Sequence, residues 1–151
     1  MPDGLYERDV LAWSQHQADL LRRLGRGERV NDIDWDHVAE EIEDVGLSEL
    51  HSVQSLLGLV VTHILKLHAW PDSDARNHWR GEIVAFQADA LRRFSPSMRQ
   101  RIDVGTLYAT SLKQLRAIDP TLQLHADNPF TLDDLLTEDT NTLLTRLPPK
   151  A

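Results

Sequence analysis

Apolar residues return along this chain at three-, four- and seven-residue steps, the period of helices with one buried face. Tyr6, Val10, Trp13, Leu20 and Leu24 predict a first helix over about 6–24, with Gln17 as the polar break in its stripe. Gly25 and Gly27 close it, and Arg22 and Arg23 sit in the last turn, where cations suit the helix dipole. A polar loop runs to Asp32. Asp34 then suits the N-cap of a second helix that carries Trp35, Val38, Ile42 and Val45 on one face, with Asp36 and Glu40 near its positive end. Gly46 interrupts it; a helix-interior glycine costs roughly 1 kcal/mol against alanine, so it marks a C-cap or a kink.

Ser48 can cap a third segment that reaches about Ala69 before Pro71 stops it. Its stripe of Val53, Leu57, Val60, Ile64 and Leu67, widened by Leu56, Val61 and Leu65, is too broad for a single neighbour and marks the central helix. Another helix follows over about 75–94 on Trp79, Ile83, Phe86, Ala90 and Phe94. Ser95-Pro96 restarts the chain in a helix to about Ile118 that uses Ile102, Tyr108, Leu112 and Leu115. Asp119-Pro120 closes it, and Thr131 caps a short final helix through Leu135 and Leu136. No stretch alternates with period two. The expectation is an all-α fold: an antiparallel helical bundle of four to five helices plus a short C-terminal helix. One domain over 1–151 is expected, with poor order at the ends, 1–4 and 148–151.

Composition narrows the partners. The net charge of −8 disfavours a nucleic-acid binder, whose affinity rests on Lys and Arg against phosphates. The charge is segregated: Glu28 to Glu49 is almost all acid, whereas Arg76, Arg80, Arg92, Arg93, Arg99 and Arg101 face only Glu82 and Asp89. Two complementary helix faces within the fold explain this most simply; a basic docking surface is the other reading. The chain has no cysteine, which removes disulfides and thiolate ligands and fits a reducing compartment. The acidic start carries no signal-like pattern, so a cytoplasmic protein is expected. The apolar stretch Leu56 to Leu67 is shorter than the roughly 20 residues of a membrane span and contains His63 and Lys66, so no membrane is expected.

Several strings in order resemble one family, domain of unknown function 29, small helical proteins found mainly in bacteria. They are Asp34-Trp35, Ala39-Glu40-Glu41-Ile42-Glu43 with Gly46, His63-Ile64-Leu65-Lys66, Trp79-Arg80, Ser95-Pro96-Ser97, Tyr108 and Asn128-Pro129-Phe130-Thr131-Leu132. The resemblance implies a helical fold and no particular activity. It also implies a threonine and an arginine where this chain has Glu82 and Gln87.

The acidic run Glu40-Glu41-Ile42-Glu43-Asp44 invites a metal, but at 100° per residue Glu40 and Glu43 point to solvent. His37 and Glu41, four residues apart, could share one ion; a surface pair at a helix start is the plainer reading. His63 lies at the edge of the central arc, where a satisfied core histidine is the plainer reading and a ligand or general base the sharper one. In the sharper reading Glu41 would fix its tautomer and hold its pKa above about 6.5. Glu41, His63, Trp79 and Tyr108 form the candidate polar cluster. Trp70, beside Pro71, is the candidate interface anchor, while Trp13, Trp35, Ile42, Leu57, Val60, Ile64, Trp79, Ile83 and Leu112 are expected in the core. Glu-x-x-His, His-Glu-x-x-His, phosphate-loop and nucleophile-elbow signatures are missing, so no cofactor is expected and no enzyme class follows. The favoured function is a protein-interaction or regulatory helical module, acting as a homodimer or with a protein partner. The alternatives are a metal-binding or hydrolytic enzyme near Glu41 and His63, and an antitoxin-like partner of a basic protein.

Overall fold

A computed structural model describes residues 4–149. Among them there are seven α-helices and one 3-10 segment and no strand, so the fold is all-α. The helices are α1 (Leu5–Arg8), α2 (Val10–Gly25), α3 (Trp35–Ala69), α4 (Arg76–Arg93), α5 (Val104–Ile118), α6 (Leu132–Thr137) and α7 (Thr140–Arg146), with the 3-10 segment at Pro96–Gln100. The expected disorder at positions 1–3 and 150–151 lies outside the described residues.

Three boundaries differ from expectation, each for a local reason. The first helix breaks at Asp9, whose non-helical backbone lets its carboxylate cap α2 through the amide of Ala12. The helix expected from Ser95 is a 3-10 segment followed by α5, because Asp103 accepts from the amide of Thr106 and starts a new helix. Most consequential, Gly46 does not end a helix. The helix continues through it, and the expected second and third segments form one helix of 35 residues.

The chain divides into two compact units, Met1–Ser48 and Glu49–Ala151. In the first, α2 and the opening turns of α3 bury Trp13, Gln17, Leu20 and Val38. The second holds most of the core. Val53, Leu57, Val60, Val61, Ile64 and Leu65 are fully buried on α3, against Ile83, Leu115, Leu135 and Leu143 from the later helices. By length and composition α3 could cross a membrane, yet half of its most apolar window is buried inside the protein, as in a core helix. Thr131 and Asp134 form a reciprocal capping box on α6, and Asp139 caps α7 through the amide of Thr142.

Candidate functional site

In the first unit, the break at Asp9 leaves α1 free to lay Tyr6 across the start of α3. The phenol ring stacks on His37, with centroids 3.8 Å apart and planes 14° apart, and meets Trp13 edge-on at 4.9 Å. Its hydroxyl donates to Glu41 Oε1 at 2.5 Å. That bond, reinforced by nearby carboxylates, pushes the Tyr6 pKa up to about 12. Asp34 Oδ2 accepts from two donors, the indole N–H of Trp13 at 3.0 Å and Nδ1–H of His37 at 2.7 Å. The bond to His37 holds the Asp34 carboxyl below its usual range, and the same bond raises the histidine. Behind them the buried Gln17 grips the main chain: its Oε1 accepts from the amide of Asp34 at 2.8 Å, and its Nε2 donates to the carbonyl of Asp32 at 3.3 Å. Asp32 itself takes a left-handed backbone, φ 67°.

This network holds the first turns of α3 through a polar and aromatic face: Asp34, His37 and Glu41, with Val38 beside them. The neighbouring stripe expected to face the core is therefore turned outward. Trp35, Ile42 and Val45 are 60%, 67% and 69% exposed, and only Val38 of the four is buried. The core assignment of Trp35 and Ile42 is corrected accordingly. Asp36, Glu40, Glu43 and Asp44, all exposed, lie around the helix on the side away from this apolar face.

The expected meeting of Glu41 with His63 does not occur. It required the chain to reverse at Gly46, whereas α3 carries both residues on one helix, twenty-two positions apart in sequence. Each candidate has its own partners. Glu41 accepts from Tyr6. His63, 8% exposed, donates Nδ1–H to the carbonyl of Leu59 at 2.7 Å and turns Nε2 toward Glu82 at 3.9 Å, with Phe86 at its edge. Burial lowers its pKa, opposite to the rise expected from a Glu41 pair. Trp79 is half-buried rather than in the core, with the Lys66 ammonium 5.7 Å from its ring and Trp70 at 6.3 Å. Trp70 borders an open pocket of about 450 Å³ lined by residues 69–73 and Trp79. Tyr108 is buried, donates to the carbonyl of His125 at 2.7 Å and packs its ring edge on Phe130.

His37 and Glu41 are likewise engaged by protein partners. His37 donates Nδ1–H to Asp34, and Tyr6 donates to Glu41. No three His, Asp or Glu among the described residues are arranged to hold a metal ion. Sequence reasoning missed the roles of Tyr6, Trp13, Gln17 and Asp34 as one network. A signal was present, since Gln17 interrupts an apolar stripe whose aromatic members, Tyr6 and Trp13, both carry polar tips. The two departures from the family pattern also have partners: Glu82 lies between His63 and His78, and Gln87 donates to the carbonyls of Leu135 and Glu138.

A family model described as a domain of unknown function, DUF29, matches residues 5–140. No curated protein matches the chain. The chain is similar to an α-helical protein of unknown function from Rhodospirillum rubrum ATCC 11170, known from a crystal structure. The two share 33% identity and a TM-score of 0.73, with 95% of this chain and 98% of that one covered.

Proposed function

The chain belongs to the DUF29 family, and from that premise we propose that it is a protein-interaction module that docks a helix on the outward face of α3. One observation carries this reading: Trp35, Ile42 and Val45 stand exposed on one face of a helix whose adjacent face is already anchored. Scattered exposed apolar residues are ordinary, but a tryptophan and two β-branched residues aligned on one rigid helix form a patch of the kind that marks contact sites. A metal-dependent or hydrolytic centre at Glu41 and His63 lacks comparable support, because the two groups have separate partners on one long helix.

A photo-crosslinking residue at position 42, expressed in the native cell, tests the reading. A discrete crosslinked protein species, lost when Trp35→Asp is added, is expected. Irradiation that yields only uncrosslinked chain would sink it.

A further inference from the structure

We propose that the pocket at the turn between α3 and α4 binds a trimethylammonium group, the headgroup of choline-like solutes and of trimethylated lysine. This site uses none of the residues on the outward face of α3 and goes beyond the interaction reading above.

Its walls come from the ends of two helices. Trp70 follows the last turn of α3 and Trp79 lies in the first turn of α4, both half-buried, with ring centroids 6.3 Å apart and planes tilted by 45°. With Ala69, Pro71, Asp72 and Ser73 they border the open pocket of about 450 Å³, a size within the range of small-ligand sites. Hydrogen bonds pin the turn. The Ser73 amide donates to the Trp70 carbonyl at 3.2 Å, Ser73 Oγ accepts from the amide of Ala75 at 3.2 Å, and Arg76 Nη1 donates to the Pro71 carbonyl at 2.6 Å. A pocket whose backbone is fixed beforehand costs little to order on binding.

The chemistry of the walls selects the ligand. An indole face is electronegative and attracts a cation within about 6 Å of its centroid. The fold already uses Trp79 in this way, since the Lys66 ammonium stands 5.7 Å from that ring's centroid. Among the residues lining the pocket Asp72 is the ionisable one, an exposed carboxylate. Two indoles and one carboxylate suit a cation and disfavour an anion. A bare ammonium is strongly hydrated and gains little by leaving water. Methylation strips that hydration, keeps the charge and adds apolar surface for the rings. Lys66 and Arg76 set the limit. Their charges oppose a second cation, and Lys66 competes for Trp79, so binding is weak, with a dissociation constant of roughly a millimolar.

The test is an NMR titration of the full-length, isotope-labelled protein with choline chloride, held at constant ionic strength with sodium chloride. Of the four indole N–H signals, those of Trp70 and Trp79 should move and saturate by about 50 mM, while those of Trp13 and Trp35 stay. The neutral carbon isostere of choline, with a tert-butyl group in place of trimethylammonium, should not saturate over that range. Asp72→Asn should weaken binding about threefold, and Lys66→Met, which frees Trp79, should tighten it about threefold. Acetylated trimethyl-lysine amide should compete with choline for the same signals, and the ratio of the two constants tells a free solute from a modified side chain as the source. Equal affinity for choline and its isostere would overturn the proposal, leaving an apolar cleft without selectivity for charge. So would unsaturable shifts, movement of Trp13 or Trp35 instead, or affinities that fail to fall in Asp72→Asn and to rise in Lys66→Met.

Discussion

His37 and His63 lie in opposite electrostatic settings. The Asp34 carboxylate favours the charged form of His37, whereas burial disfavours that of His63. NMR titration should place the His37 midpoint above about 6.5 and the His63 midpoint below it. A raised folded pKa makes the His37 contribution to stability complete below about pH 6.5 and lost as pH rises through the raised value. The lowered Asp34 pKa makes its contribution complete above about pH 3.9 and lost as pH falls through the folded value. His63 runs the other way from His37: its neutral burial is fully favourable above about pH 6.5 and is lost as pH falls through its depressed pKa. Asp34→Asn should return the His37 midpoint toward 6.5 and leave His63 where it was; movement of both would mean the two sites are linked. At alkaline pH, Tyr6 should ionise near 12, and Glu41→Gln should lower that value, as followed by phenolate absorbance. These partners were only half legible in the sequence. Residue type and helical phase found Asp34, His37, Glu41 and His63 as flank positions, but which groups meet depends on chain reversals, and the one assumed at Gly46 does not exist.

Among elements, α3 shows most clearly what the hydrophobic pattern encodes. Its second half was legible: Leu57, Val60 and Ile64 are fully buried as periodicity expects. Leu57→Ala should cost roughly 2–5 kcal/mol in urea unfolding, and a loss below about 0.5 kcal/mol would contradict that burial. Its first half repeats the same apolar period with the opposite outcome, since Ile42 and Val45 face solvent. Periodicity locates a stripe without saying what covers it, and here hydrogen bonds and ring stacking anchored the adjacent face. Gly46 misled for a related reason: its propensity penalty is small beside the cooperative gain of continuing a helix packed elsewhere along its length. With no atom within 4 Å of an added Cβ, Gly46→Ala should stabilise the chain by roughly 1 kcal/mol. Destabilisation there would mean that the intramolecular surroundings are tighter than they are drawn.

For the whole molecule, the division of the core foretells uneven stability. The first unit buries few large side chains besides Trp13, Leu20 and Val38, while the second buries most of the apolar core. Amide hydrogen exchange should therefore be faster in α2 than in the second half of α3 and in α5; equal protection would show one cooperative unit. The all-α class was legible at this scale because every segment repeats at helical period and none alternates. The two units were not, because one uninterrupted helix runs through both and no linker composition separates them. A consequence for tolerance of length changes follows from Gln17. Its amide recognises main-chain groups, the Asp32 carbonyl and the Asp34 N–H, so the count of residues there is fixed. Two extra glycines after Arg29, in the exposed part of the loop, should leave Trp13 in contact with Asp34. The same two inserted after Asp32 would slide the wrong backbone atoms past Gln17, so this short stretch should behave as a molecular ruler that measures spacing.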